Sequence, residues 1–259
     1  YKRQLLTHGH LDHILGLAGL LSTFMRWEAI EEIEIYGGRS TLDRVYDLLY
    51  GVVLRGIRPP VEIKLLEIKP GLIFDVDNFT VTAFSVSHRG PDCYGFSFEE
   101  KSRRPFLPEK AEALAIPPGP WRRDMVAGKT VNLPDGRQIT PDQVLGPERP
   151  GTKFVQVGDT GRTDNLADHV QGADTLVIES TYLVQESDMA NRFGHLTAAQ
   201  AAQLAVDADV QHLILTHLSR RYRERDILAE ARAIFPNSHV ARDFDAYQIL
   251  RGTCEKVEG

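Results

Sequence analysis

An α/β fold is predicted by three features of the chain. Short apolar runs rich in β-branched and aromatic residues alternate with amphipathic stretches of helical period, and single His or Asp residues stand where several of the runs stop. With 259 residues and 42% hydrophobic content the chain is long enough for one large core, and it carries no internal repeat.

Strands are expected at Lys2 to Thr7, Ile33 to Tyr36, Ile63 to Ile68, Leu72 to Asp75, Thr80 to Ser87 and Tyr94 to Phe98, with Asp77-Asn78 turning the hairpin between the fourth and fifth. Further strands are expected at Phe154 to Val157, Leu176 to Ile178, Leu213 to Thr216 and His239 to Ala241. Helices are expected at Asp12 to Phe24, Thr41 to Val53, Asn165 to Val170, Thr197 to Asp207 and Arg225 to Ile234. The fourth has the clearest start, because Thr197 followed by Gln200 makes a capping box ahead of an apolar face of Ala201, Leu204 and Ala205.

Between Lys101 and Gly146 the text turns rich in Pro, Gly and basic residues, with Pro117-Pro118-Gly119-Pro120 at its centre. Pro-rich backbone cannot join a central sheet, so this stretch is expected to be an insertion that projects as an arm. Lys101, Arg103, Arg104, Lys110, Arg122, Arg123, Lys129 and Arg137 outnumber its acidic residues, while the whole chain has a net charge of -6. A uniformly basic nucleic-acid binder is thereby excluded, and any polyanion has to be met locally.

The two cysteines, Cys93 and Cys254, lack CxxC spacing, which argues against a disulfide framework or thiolate zinc knuckle and for a reducing cytoplasm. No apolar run reaches the ~18 residues that a membrane span needs. Tyr1 stands where Met is usual, so the native start is expected to be missing or renumbered.

The chemistry concentrates in Thr7-His8-Gly9-His10-Leu11-Asp12-His13, directly after the first strand. Imidazoles and carboxylates are ligands that zinc accepts, and a strand-to-helix turn aims several of them into one volume. His88, Asp159 and His217 each end an apolar strand as well, so one rim of an α/β sheet can collect all of them.

The order His-x-His-x-Asp-His with later single His, Asp and His resembles the metallo-β-lactamase superfamily, and the spacing is similar to that of its ribonuclease Z family of tRNA 3′-processing endonucleases. The marks are Leu215 to Tyr222 (Leu-Thr-His-Leu-Ser-Arg-Arg-Tyr), Gly158-Asp159-Thr160, Glu179-Ser180-Thr181, His195-Leu196-Thr197 and the Pro117 to Pro120 segment. The resemblance spans Leu6 to Phe244. It implies a four-layer αββα sandwich over residues 1–259, with residues 101–146 as an exosite-like basic arm. The family's extra strands and basic loop upstream of the His cluster have no counterpart here, and Ile178 replaces the His usual before the Glu.

Carried over residue by residue, the resemblance implies one zinc on His8, His10, His88 and Asp159, and a second on Asp12, His13, Asp159 and His217, with manganese or iron as alternatives. Asp12 is then expected to orient the attacking hydroxide, and His195 with Glu179 to protonate the leaving oxygen. Ser219, Arg221 and Tyr222 are expected to hold substrate phosphate, Arg being the fork-shaped donor that matches it. Arg103, Arg104, Lys110, Arg122, Arg123 and Lys129 are expected to contact RNA backbone, with Trp121 stacking on a base or sugar. The expected partners are precursor tRNA and a second copy in a homodimer, with no membrane. Two other readings stay open: a zinc phosphodiesterase or ester hydrolase acting on small substrates, and a non-catalytic RNA-binding or dimer-partner paralogue.

Overall fold

The computed structural model describes residues 2–27 and 30–257. They divide into two compact units, Tyr1–Glu99 with Thr152–Gly259, and Glu100–Gly151. The larger unit opens with β1 (Lys2–Leu5), α1 (Leu11–Ile14), α2 (Gly16–Trp27), β2 (Glu32–Gly37), α3 (Arg39–Tyr46) and β3 (Glu62–Glu67). The three strands form a parallel sheet in the order β1-β2-β3. Ile33 and Ile35 alternate onto one face, where Leu17 and Leu21 of α2 and Val45 of α3 cover them.

Three sequence expectations need correction here. The helix expected at Asp12 to Phe24 is two helices, α1 ending at the Leu15 cap and α2 opening at Gly16. The helix expected at Thr41 to Val53 begins at Arg39 and runs from Asp47 to Leu54 as a π-helix, closed by Arg55 in the left-handed region at φ 34°. The first strand stops at Leu5 rather than Thr7, because the Thr7 carbonyl turns away to accept from Tyr94 N (2.8 Å).

Next come β4 (Gly71–Asp75), β5 (Phe79–Ser85) and β6 (Tyr94–Glu100), at the end of which the smaller unit begins. That unit holds α4 (Pro108–Ala113), α5 (Trp121–Val126), the hairpin β7 (Val131–Asn132) and β8 (Gln138–Ile139), and α6 (Pro141–Val144). Its prolines open helices, Pro108 and Pro141 standing in the first turns of α4 and α6, where a missing N–H costs nothing. Met125, Val131, Leu133, Ile139, Val144 and Leu145 give it a core of its own.

The chain then resumes with β9 (Lys153–Gln156), α7 (Ala167–Val170), β10 (Thr175–Glu179), α8 (Ser187–Phe193), α9 (Ala198–Asp207), β11 (His212–Thr216), α10 (Glu224–Ile234), β12 (Ser238–Val240), β13 (Ala246–Leu250) and β14 (Thr253–Val257). A seven-stranded sheet has the order β12-β11-β10-β9-β6-β5-β4. Leu176, Ile178, Leu213 and Leu215 pack under Ala201, Leu204 and Ala205 of α9 and Ile227 and Ala231 of α10. Leu5 and Tyr36 of the first sheet meet Ala83 and Phe96 of the second, so the order of layers in this unit is αββα. Thr197 caps α9 through the box with Gln200.

Two features escaped the sequence reading. Helix α8 buries only Ala190, leaving no apolar stripe to detect. The hairpin β13-β14 is largely exposed, and its strands carry no apolar run. Among the described residues no helix is long and apolar enough to cross a membrane.

Candidate dimetal centre

Parallel pairing sets the site. Strands β9, β10 and β11 lie side by side and point the same way, so Asp159, Glu179 and His217 emerge on one rim. His8 follows β1, and His88 follows β5. His10 is the residue before α1, which carries Asp12 and His13 in its single turn.

These side chains converge on one carboxylate oxygen. Asp159 Oδ2 lies 3.8 Å from His8 Nε2, 3.8 Å from His88 Nε2, 3.3 Å from His13 Nε2 and 3.5 Å from His217 Nε2. Asp12 Oδ2 is 3.5 Å from His13 Nε2 and 3.7 Å from His217 Nε2, and His10 Nδ1 is 3.3 Å from His88 Nε2. Two ligand groups result, His8 with His10, His88 and Asp159, and Asp12 with His13 and His217. His195 also comes within ligand distance of Asp159 and His217, a third grouping that the sequence reading did not assign to metal.

The donor set fits cations. His8 Nε2 and Asp159 Oδ1 are buried with no hydrogen-bond partner among the described residues. A buried polar atom without a partner costs ~1–3 kcal/mol, and a bound cation removes that cost. Burial pushes His8 down to about 3, with the neighbouring His13 adding to the effect, and burial also lowers His10 and His88. These rings are therefore neutral, with lone pairs free to ligate. Burial works against charge on Asp159, but the neighbouring His13 and His217 imidazoles, 3.3 and 3.5 Å away, outweigh it and hold the carboxyl well below its ordinary range. It is thus a carboxylate throughout the neutral range.

A further set of contacts orients the rings. His88 Nδ1 donates to the Gly194 carbonyl at 2.8 Å, which leaves Nε2 facing Asp159. His217, in the left-handed region at φ 53°, donates through Nδ1 to Thr181 Oγ1 at 2.8 Å. The Thr181 hydroxyl donates onward to Glu179 Oε2 at 2.7 Å. Glu179 is fully buried and also accepts from Thr160 N (2.8 Å), Leu196 N (3.1 Å) and His195 Nδ1 (2.8 Å). One carboxylate thereby fixes His195 directly and His217 through Thr181. Burial disfavours charge on His195, yet the Glu179 hydrogen bond prevails and the net shift is upward. Thr181 had no role in the sequence reading; its place just past the strand end that carries Glu179 was the available signal.

A family model described as Beta-lactamase superfamily domain matches residues 5–107 and 140–218. Over 243 residues the chain is 47% identical to Ribonuclease Z of Bradyrhizobium sp. (strain ORS 278), an alignment covering 94% of this chain and 80% of that protein. This chain belongs to the ribonuclease Z family. Another ribonuclease Z, from Trichodesmium erythraeum (strain IMS101), is 39% identical, with 96% of this chain and 79% of that protein covered. The crystal structure of the short form of human tRNase Z superposes with a TM-score of 0.60 at 23% identity, covering 93% of this chain and 76% of the other. The metallo-beta-lactamase fold protein YhfI from Bacillus subtilis gives 0.61 at 16% identity, with 99% and 78% covered. Both likenesses establish the metallo-β-lactamase fold. Within this ribonuclease Z frame the His and Asp cluster is compatible with a dimetal site.

The remaining candidates fare differently. Tyr222 keeps its hydroxyl buried without a hydrogen-bond partner among the described residues, and Ser219 Oγ accepts from Arg221 N at 3.3 Å. Arg221 points its guanidinium to Glu186 (3.0 Å), an exposed pair worth ~0–1 kcal/mol that phosphate can displace. In the smaller unit, Arg104 pairs with Asp142, and Lys129 pairs with Asp124. Lys110 donates to the Leu145 carbonyl, and Arg122 lies over the Phe106 ring. Trp121 packs against the unit's core with its indole N–H on the Pro117 carbonyl at 2.7 Å, so its first role is internal packing rather than open stacking. The side chains of Arg103 and Arg123 are exposed and form no ion pair among the described residues.

Proposed function

We propose that this chain is an endoribonuclease that hydrolyses a phosphodiester at the 3′ side of precursor tRNA, working with two zinc ions. The observation that carries the reading is the convergence of four imidazole nitrogens on Asp159 Oδ2 in a member of the ribonuclease Z family. His8, His10, His88 and Asp159 would hold one ion, and Asp12, His13, Asp159 and His217 the other. Two such ions supply Lewis-acid charge at phosphorus and make water acidic enough to react at neutral pH.

The chain's own groups do the rest. Asp12, exposed at the rim, orients the attacking water or takes its proton. Glu179 accepts Nδ1–H of His195, which leaves the His195 Nε2 proton for the ribose 3′-oxygen as the P–O bond breaks. Tyr222, Ser219 and Arg221 bind phosphate oxygens, and the exposed Arg103 and Arg123 engage RNA backbone. Two buried free cysteines support a reducing, cytoplasmic setting. A homodimer belongs to the same reading, for which the exposed Tyr46, Val52 and Ile57 offer apolar surface.

Elemental analysis of purified protein together with mapping of the cut on one precursor tRNA tests this reading. About two metal ions per chain and a cut at the 3′ side are expected. At most one ion would sink the dimetal arrangement, and hydrolysis confined to aryl phosphodiesters would return the site to small substrates. Removing residues 101–146 is expected to weaken precursor-tRNA cleavage more than aryl phosphodiester hydrolysis, since the segment contains no candidate ligand. Equal losses on both substrates would count against an RNA-binding arm.

A further inference from the structure

Beside the first ligand group lies a narrow cleft of about 70 Å³ that no role above uses. Its walls include the His8 to His10 turn, Thr41 and Arg44 of α3, and Arg89. The volume is far below the ~300 Å³ at which pockets for whole small molecules begin, so the cleft can take one small group rather than a nucleoside.

Charge says which group. Arg44 spends one N–H on the Gly9 carbonyl (3.1 Å), between His8 and His10. Arg89 donates to the Arg192 carbonyl and lies over Gly194, whose own carbonyl orients His88. Neither guanidinium forms an ion pair among the described residues, whereas nearby Arg39 is tied to Asp43 and Glu67. The carboxylate of Asp92 turns instead to Ser40 N at the start of α3 (3.2 Å). Thr41 Oγ1 supplies an independent sign of a missing ligand. It is buried, with Thr41 only 1% exposed, and it has no hydrogen-bond partner among the described residues. Gly9 is what admits the close approach, since a Cβ there would stand 3.0 Å from Thr41 Cα and 3.3 Å from Thr41 Oγ1.

We propose that Arg44, Arg89 and the Thr41 hydroxyl form an anion subsite for the backbone phosphate next to the scissile one. Two guanidiniums that form no ion pair among the described residues, beside a neutral hydroxyl donor, match the oxygens of a phosphodiester. The cleft adjoins the His8 to His10 turn and is lined by Thr41, Arg44 and Arg89, so the bound phosphate positions the strand and leaves the reacting phosphorus to the metal cluster. This inference rests on the RNA-substrate reading and adds a register-setting contact to it.

The test is equilibrium binding of a fluorescein-labelled single-stranded RNA that spans the cut, read by anisotropy across a salt series. Matched oligonucleotides carry an uncharged methylphosphonate at the phosphate on either side of the scissile one. Wild type should bind one of the two neutralised oligonucleotides about tenfold more weakly. Arg44→Gln and Arg89→Gln should each bind the natural RNA about tenfold more weakly, with a salt slope shallower by about 0.7 per arginine, and should no longer distinguish that methylphosphonate. Arg89→Lys, which keeps the charge and loses the fork, should recover part of the affinity and most of the slope. A methylphosphonate penalty undiminished in both Gln variants would overturn the subsite while leaving the ribonuclease reading intact. Failure of wild type to bind RNA would overturn both, through the substrate.

Discussion

Asp159→Ala is expected to lose metal from both positions together and to lose at least ~10³-fold of its phosphodiesterase activity, on RNA and on an aryl phosphodiester alike. The reason is geometric. Asp159 Oδ2 lies 3.3 to 3.8 Å from His8 and His88 of the first ligand group and from His13 and His217 of the second, so this one carboxylate stands between the two groups. Several kcal/mol of charge stabilisation at phosphorus depend on the ions, and each ~1.4 kcal/mol is a factor of ten in rate. His10→Ala, by contrast, touches only the first group and should leave one ion bound. Metal analysis of the two variants beside wild type checks the contrast; retention of two ions by Asp159→Ala would rule out the bridging role.

His195→Ala should behave in the opposite manner, keeping both metals and losing ~10² to 10⁴-fold in turnover on RNA. A ribose oxygen departs poorly without a proton, whereas an aryl oxide leaves unaided, so the same variant should lose little on an aryl phosphodiester. The ring is held in one orientation. Its Nδ1 is committed to the fully buried Glu179 at 2.8 Å, and the carboxylate is locked by the Thr160 and Leu196 amides. Glu179→Gln keeps the shape and removes the charge that favours a protonated ring. It should reproduce part of the loss on RNA and move the alkaline limb of the RNA rate profile to lower pH, because the folded His195 is shifted upward chiefly by that hydrogen bond, against burial. The position of His195 within reach of Asp159 and His217 makes metal analysis of His195→Ala the deciding control. Zinc loss, or equal losses on the two substrates, would move His195 from proton donor to ligand or scaffold.

The sequence by itself determined the residue types gathered at the candidate centre and the layers that carry them. Residue types with ligand lone pairs are local properties, and their placement at strand ends is readable because an apolar run that stops marks where a sheet edge begins. Period-2 and period-3.6 patterns located the central strands and helices α9 and α10 for the same reason: each buries one continuous face. What that local text could not contain was decided by tertiary structure. The break between α1 and α2 and the π-helix after α3 depend on how those segments meet their sheet. Elements α8, β13 and β14 bury too little apolar surface to leave a pattern. The hub formed by Glu179, Thr181, His195 and His217 joins residues from separate strands and loops through hydrogen bonds that have no periodicity. Likewise, whether a basic residue is free for phosphate is settled by its neighbours in space. Arg104 and Lys129 are held by Asp142 and Asp124, while Arg44 and Arg89, unremarkable in the linear text, form no ion pair among the described residues beside the centre. Local composition fixes which groups are available; only packing fixes which of them remain uncompensated, and an uncompensated charge or buried hydroxyl is where a ligand gains its free energy.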